Sequence, residues 1–255
     1  MERTRYEKIL YYLTAPNCIY CESVLDIDDF AYCKDCFPKY LEAKARVCSV
    51  CFKPYSECLC TSRYLDTHYV KRLIKLFRYR PSKDLSDDRA ENRMIYNLKG
   101  SSRIDTVRLA ASELATRIKA SVRLDNLVIT NVPRSRKRVI TIGLDHMENL
   151  ARKIAKLLNI PYVKPLRSLA RGVQKKKRGE ERLQNAEFDY RRHTPSLEGL
   201  RVLILDDVVT TGASLGGCAM LLRGLGAKEI TGVCLGIAFS DKYTPFLKPH
   251  FKRDI

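Results

Sequence analysis

The sequence predicts an α/β protein: a parallel sheet flanked by helices, preceded by a small cysteine module. Three observations predict it. Strand-like and helix-like segments alternate through residues 101–245 of the 255. One apolar run there, residues 201–205, leads into two aspartates and a loop rich in hydroxyls. Eight of the ten cysteines fall in close pairs between Cys18 and Cys60.

The alternation can be followed element by element. Residues 104–122 have a helical period, with Val107, Ala111, Leu114, Ala115 and Ile118 on one face. Residues 126–132, NLVITNV, form a short apolar strand. Residues 146–158 are helical, with Leu150, Ile154, Leu157 and Leu158 inward. The run 201–205 is nearly continuous in apolar residues, as a central parallel strand requires. Residues 213–223 read as a helix, Gly224 and Gly226 stand where helices stop, and residues 229–237 form the next strand. Such alternation gives a parallel sheet covered by helices.

Three regions are expected: a cysteine module over 1–62, a helical connector over 63–100, and the α/β domain over 101–255. In the connector, Tyr69, Leu73, Leu76 and Phe77 recur at helical spacing, and Pro81 should end that helix. Residues 82–93 are strongly polar and read as a loop or frayed helix.

The formal net charge is +18. Residues 1–62 carry eight Lys or Arg and nine Asp or Glu, so residues 63–255 carry +19. A field of that sign suits a phosphorylated substrate or a nucleic acid. No apolar run approaches the ~20 residues that span a bilayer, and no signal peptide is recognisable at the N-terminus. A cytoplasmic protein without a membrane partner is expected. Cys218 and Cys234 stand alone in apolar surroundings and read as small core residues.

Residues 202–214 read VLILDDVVTTGAS. A strand ends in Asp206 and Asp207, a loop follows, and a helix begins at Ala213. In open parallel sheets ligands bind outside the carboxyl ends of the strands. The helix N-terminus offers backbone N–H groups and a partial positive charge, both suited to phosphate. Gly212 lets backbone approach closely, and Thr210, Thr211 and Ser214 add short hydroxyl donors. The two aspartates would repel phosphate if they faced it. They suit neutral sugar hydroxyls and a cationic centre developing at ribose C1.

This segment resembles the signature of type I phosphoribosyltransferases: four apolar residues, two acids, two apolar residues, then Thr/Ser–Thr/Ser–Gly–Ala/Thr–Ser/Thr. The resemblance implies a type I phosphoribosyltransferase-like sheet that binds phosphoribosyl pyrophosphate (PRPP). It implies ribose contacts and a catalytic role for Asp206 and Asp207, and a 5-phosphate cradle from Thr210, Thr211, Gly212, Ala213 and Ser214. Magnesium would ride on the pyrophosphate, mostly through substrate oxygens and water.

Two basic segments could serve the pyrophosphate. Residues 169–200 form a long stretch without strand period, carrying Arg171, Lys175, Lys176, Lys177, Arg178 and Arg182. Stretches of this length are usually functional or disordered. A basic lid is one reading and a solvated tip the other. PRSRKR, residues 133–138, follows the strand 126–132 and puts Arg134 at a strand end, either facing pyrophosphate or on a surface loop. His146 opens a helix near the site, where it either meets an acceptor base or has a capping or surface role.

The cysteines make four pairs: Cys18/Cys21, Cys33/Cys36, Cys48/Cys51 and Cys58/Cys60. Three are C-x2-C and one is C-x-C. A structural zinc site takes four thiolates, so one or two zinc ions are expected. Sequential pairing is favoured over a cross-brace. After Cys36 a proline in the first turn begins a helical run, as in a treble-clef-like knuckle. Eight thiolates and two zinc ions would add −4 to a formal −1, which does not favour DNA on this module.

Taken together, the cysteine pairs, the basic segment VKRLIKLFRYR, the pattern of Gln174, Arg182, Asn185 and Phe188, and the motif at 202–214 resemble the ComF family of competence-associated phosphoribosyltransferase-like proteins. The chain departs from that family's Val-Pro-x-Pro at Val132-Pro133-Arg134-Ser135, and from its Arg-Gly-Phe-Asn-Gln at residues 142–146. The resemblance implies a role in natural competence, the uptake of DNA for transformation. Two hypotheses follow. One is a phosphoribosyltransferase that passes ribose 5-phosphate to a nitrogenous acceptor. The other is a non-catalytic binder or adaptor acting on incoming single-stranded DNA, with a competence helicase and DNA-loading proteins as partners. Tyr69, Phe77, Tyr79, Phe188 and Tyr190 are candidate stacking residues for single strands.

Overall fold

The computed structural model of the chain describes residues 9, 16–80, 89–100, 104–134, 145–169, 188–238 and 246–247. In chain order its elements are α1 (Phe37–Ala45), β1 (Thr61–Ser62), α2 (Arg63–Thr67), β2 (Val70–Ile74), β3 (Phe77–Arg78), α3 (Ala90–Gly100), α4 (Ile104–Lys119), β4 (Leu127–Asn131), α5 (His146–Leu158), β5 (Leu166–Ser168), β6 (Phe188–Tyr190), β7 (Arg201–Val209), α6 (Ala213–Gly224), β8 (Glu229–Ile237) and β9 (Phe246–Leu247). The central sheet runs β2-β8-β7-β4, with β3 also on β8, and these pairings are all parallel. Helices cover it, as the alternation predicts.

The helices form where their apolar stripes demand. In α4 the expected face, Val107, Ala111, Leu114, Ala115 and Ile118, is buried. α5 begins at an Asp145 cap, whose carboxylate accepts from the N–H groups of Met147 and Glu148, and it ends at a left-handed Asn159. Its buried stripe is Met147, Leu150, Ala151, Ile154, Ala155 and Leu158. Leu157, expected inward, lies beyond that stripe and is exposed.

The connector differs from expectation. Residues 70–74 and 77–78 are strands β2 and β3, not a helix. Val70, Leu73, Ile74, Lys75, Leu76 and Phe77 are all buried. A strand covered on both faces buries consecutive residues, which a helix with one inward stripe does not. Lys75 hides this pattern in the sequence. Its ammonium lies in the interior and donates to the carbonyls of Leu73, Cys58 and Cys60 at 3.0, 3.1 and 2.7 Å. A buried charge fully supplied with acceptors is tolerated where an unsupplied one is not. The polar stretch does contain a helix, α3, from Ala90. Residues 81–88, including Pro81, lie outside the described residues.

Strand alternation sorts the core into two clusters. Leu127, Ile129, Leu203, Leu205, Val233 and Leu235 face α3, α4 and α5. Val128, Val202, Ile204, Ile230 and Cys234 face α6 through Leu215, Cys218, Ala219 and Leu222. Cys218 and Cys234 are fully buried core residues, as expected. The cysteine module is not set apart from this core. Its first half (Cys18, Ile19, Leu25, Tyr32, Cys36, Tyr40) belongs to the α3–α5 cluster, and its second half (Cys48, Tyr55, Cys58, Cys60) to the α6 cluster.

The long basic stretch is framed by structure at both ends. β5 and β6 pair antiparallel, with Ser168 opposite Phe188, so part of the stretch thought to lack strands is a strand. Residues 170–187, with Arg171, Lys175, Lys176 and Arg182, lie outside the described residues. No helix among the described residues is long and apolar enough to cross a membrane.

Candidate functional site

The site forms where β7 outruns its neighbour β4. Asn131, the last residue of β4, pairs with Leu205, and the Val132 N–H still donates to the Leu205 carbonyl at 2.9 Å. The chain then leaves the sheet. Asp206 and Asp207 continue β7 alongside β8, and Arg134, two residues past Val132, meets the aspartates from the β4 side.

The two carboxylates occupy different settings. By alternation Asp207 falls on the α3–α5 face and Asp206 on the α6 face. Three basic groups gather at Oδ2 of Asp207: the Arg134 guanidinium at 2.5 Å, the Lys99 ammonium at 3.3 Å and Nε2 of His146 at 3.8 Å. Arg134 comes from the loop after β4, Lys99 from the end of α3, and His146 from the start of α5. Burial pushes Asp207 upward, but His146, Lys99 and Arg134 outweigh it and hold the carboxyl well below the usual carboxylate range. Burial, with the Asp207 charge beside it, pushes Asp206 up to about 7, against smaller lowering by the Asp207 N–H, Arg134 and Lys99. At neutral pH one carboxyl is therefore firmly ionised and its neighbour is poised to gain or lose a proton.

His146 is neither a cap nor a surface residue. Asp145 caps the helix, and the imidazole is 1% exposed, with no hydrogen-bond partner on either nitrogen among the described residues.

The loop that follows is built to receive an anion. Gly212 is the N-terminal cap of α6 at φ +84°, offers no side chain of its own to cap that helix, and the first turn carries no acid. Its dipole and the N–H groups beyond Ala213 thus suit a phosphate. Thr211 Oγ1 accepts from the Ala213 N–H at 3.3 Å, tightening the turn. Thr210 is exposed, Thr211 and Ser214 half-buried, and Gly212 and Ala213 buried. Nothing in the local sequence indicates what lies under the loop. A Cβ on Gly212 would sit 2.8 Å from Cγ of Leu65 in α2, and one on Gly216 would sit 2.8 Å from the Tyr64 ring. The short helix following the second cysteine group is therefore the floor of the loop. The Ser62 hydroxyl holds it by accepting from the Leu65 N–H.

The cysteines assemble in sequential order, not as a cross-brace. Cys18, Cys21, Cys33 and Cys36 form one group and Cys48, Cys51, Cys58 and Cys60 another, with the sulfurs of each group within 4.8 Å of one another. Cys21 and Cys33 sulfurs are 3.8 Å apart. Four thiolates at about 2.3 Å from a tetrahedral zinc ion stand about 3.8 Å apart, so the donor set fits zinc. Backbone N–H groups of Tyr20 and Cys33 point at Cys18 Sγ, and that of Cys60 at Cys58 Sγ, softening thiolate charge. α1 starts directly after Cys36 with proline in its first turn, as the knuckle reading expected.

Residues 147–242 match the phosphoribosyl transferase domain model. The chain is 24% identical over 211 residues to the competence protein ComFC of Bacillus subtilis, covering 78% of this chain and 85% of that one. Among solved structures, it is similar to a purine phosphoribosyltransferase from Pyrococcus horikoshii, with 23% identity, a TM-score of 0.34, and coverage of 51% of this chain and 72% of that one. It is also similar to a hypoxanthine phosphoribosyltransferase from Staphylococcus aureus, with 16% identity, a TM-score of 0.37, and coverage of 51% and 62%. Residues 147–242 thus match a phosphoribosyl transferase domain, and the chain is similar to a competence protein over most of its length.

Proposed function

We propose that the chain binds PRPP with magnesium at residues 206–214 and uses that site in natural competence. The observation that carries this reading is the junction of two unlike binding surfaces. The helix N-terminus behind Gly212 suits the 5-phosphate, and the Asp206–Asp207 pair directly before it suits the ribose. Bound magnesium would supply charge neutralisation on the pyrophosphate. The chain's own groups do the rest. Thr210, Thr211 and Ser214 offer hydroxyl donors to the phosphate. Asp206 and Asp207 hold sugar hydroxyls and provide negative potential where C1 becomes cationic. Arg134 and the basic residues Arg171, Lys175, Lys176 and Arg182 would attend the pyrophosphate. The enzymatic form of this reading transfers ribose 5-phosphate to a nitrogenous acceptor and releases pyrophosphate.

A second reading has its own support. The relative's name places it in competence, and the basic excess of the chain suits a polyanion. In this version the site binds PRPP or a sugar–phosphate without turnover. The protein then acts on incoming single-stranded DNA, alongside a helicase and DNA-loading proteins.

Calorimetric titration of magnesium–PRPP into the wild type and into Asp206→Asn/Asp207→Asn tests the common core. Binding by the wild type and none by the double variant is expected. Absence of binding to the wild type would overturn the reading. Binding without pyrophosphate release, across a panel of nitrogenous bases, would favour the adaptor.

A further inference from the structure

We propose that Lys99 is a ligand for the diphosphate of PRPP, delivered by a helix that the first cysteine group holds in place. This deepens the PRPP reading and rests on it. Asp207 is surrounded by more positive charge than one carboxylate needs. Arg134, at 2.5 Å and with its side chain 14% exposed, already forms a close, part-buried pair. Lys99 adds a second cation at 3.3 Å, and its side chain is 37% exposed, so it is within reach of a ligand from solvent.

The direction of approach is specific. α3 belongs to the core cluster on the α4–α5 face of the sheet, while α6, whose N-terminus is the phosphate cradle, packs on the other face. A ribose lying across the end of β7 with its 5-phosphate on α6 turns its C1 side toward the opposite face. Lys99 therefore meets the group carried on C1, a diphosphate, and not the 5-phosphate. A flexible ammonium suits this task, since it can leave Asp207 and follow the anion while Arg134 keeps the carboxylate paired.

The helix that carries it is anchored away from the sheet. The Asn97 side chain donates to the Ile19 carbonyl, one residue from Cys18, at 2.8 Å. The buried Glu91 pairs with Arg46, just past α1, at 2.5 Å. Met94, Ile95 and Leu98 pack in the same cluster as Ile19, Tyr32 and Tyr40. The first cysteine group thus stands behind the placement of Lys99, a function for that module inside the PRPP site.

The experiment is a titration of full-length, zinc-loaded wild type, Lys99→Met, Lys99→Gln and Lys99→Arg with magnesium–PRPP and with ribose 5-phosphate. Thermal melting checks that each variant is folded. Removing one charge-assisted contact is expected to cost the Met and Gln variants about tenfold to a hundredfold in PRPP affinity. Ribose 5-phosphate affinity should stay within about twofold, and Lys99→Arg should recover most of the loss. Equal loss for both ligands would make Lys99 only a counter-ion of Asp207 and overturn the proposal, as would undiminished PRPP binding in the Met and Gln variants. A folded wild type that binds ribose 5-phosphate but not PRPP would overturn the assignment of Lys99. A folded wild type that binds neither would overturn the PRPP reading itself.

Discussion

Asp206 and Asp207 are chain neighbours whose carboxyl groups titrate in opposite directions, because β7 turns them to opposite faces of the sheet. Asp207 meets three basic groups, while Asp206 has burial and the Asp207 charge against it.

The sign of each stability effect follows. An unfolded aspartate loses its proton near pH 4. Between there and about 7 the folded protein keeps a proton on Asp206 that the unfolded chain has released, so this group lowers stability as pH rises. Asp207 does the reverse: it stabilises at neutral pH, and the contribution is lost as pH falls through its depressed value. At pH 8, Asp206→Asn should raise the melting temperature, by about 1 kcal/mol or more in stability. Asp207→Asn leaves Arg134 and Lys99 without their carboxylate and should cost on the order of 2–4 kcal/mol. Thermal melts at pH 5 and pH 8 check this. The gain at Asp206 should shrink toward pH 5, and two destabilising variants at pH 8 would contradict the assignment.

Gly212 carries two constraints at once, a left-handed φ of +84° and the close approach of Leu65. Gly212→Ala should therefore cost about 1–2 kcal/mol from the backbone alone and more from the contact. Adding Leu65→Ala trades the clash for a cavity and leaves the backbone cost in place. The double variant should bind PRPP better than Gly212→Ala alone and still more weakly than wild type. Titration of the wild type and both variants with magnesium–PRPP reads the two parts separately.

How much of this was legible depended on distance along the chain. Elements whose apolar stripe is regular read cleanly: His146–Leu158 and Glu229–Ile237 begin and end where periodicity and capping place them. The phosphate loop also read well, since its residues are contiguous. The segment Val70–Arg78 did not, because Lys71, Arg72 and the interior Lys75 break up its apolar residues, and Leu73, Leu76 and Phe77 happen to fit a helix. The partners of Asp207 show the same limit. Arg134 could be found because it follows a recognisable strand end. Lys99 ends a helix within a segment read as connector, and nothing local announces that α3 brings it to β7. The floor of the loop, Leu65 and Tyr64, was invisible for the same reason: packing between residues about 150 positions apart leaves no periodic trace.

The second cysteine group is fastened to the sheet by Lys75. Its ammonium donates to the carbonyls of Cys58 and Cys60, so it orders the C-x-C segment and places a positive charge near the thiolates. Metal analysis of the full chain should find two zinc ions, and Cys36→Ser and Cys60→Ser should each leave one. Lys75→Met strands buried carbonyls and should cost about 1–3 kcal/mol. It should also speed zinc release to a chelator from the second group while leaving the first unchanged. A single ion in the wild type would show that the C-x-C half is not a site. Equal acceleration at both groups would show that Lys75 acts on the fold as a whole.

The basic excess lies outside the cysteine module, with +19 on residues 63–255. If single-stranded DNA is a partner, its affinity should therefore be set by that part of the chain and depend steeply on salt. Each phosphate contact to a single strand contributes a slope of about −0.7 in log K against log salt. Anisotropy titrations of a labelled oligonucleotide between about 50 and 200 mM salt give the slope and hence the number of contacts. PRPP added as competitor then decides where they lie. A site shared with DNA predicts that magnesium–PRPP displaces the oligonucleotide and that Arg134→Ala flattens the slope by about one contact. A slope near zero would remove DNA from the partners of this protein. A steep slope untouched by PRPP would place DNA on a basic face remote from Asp207.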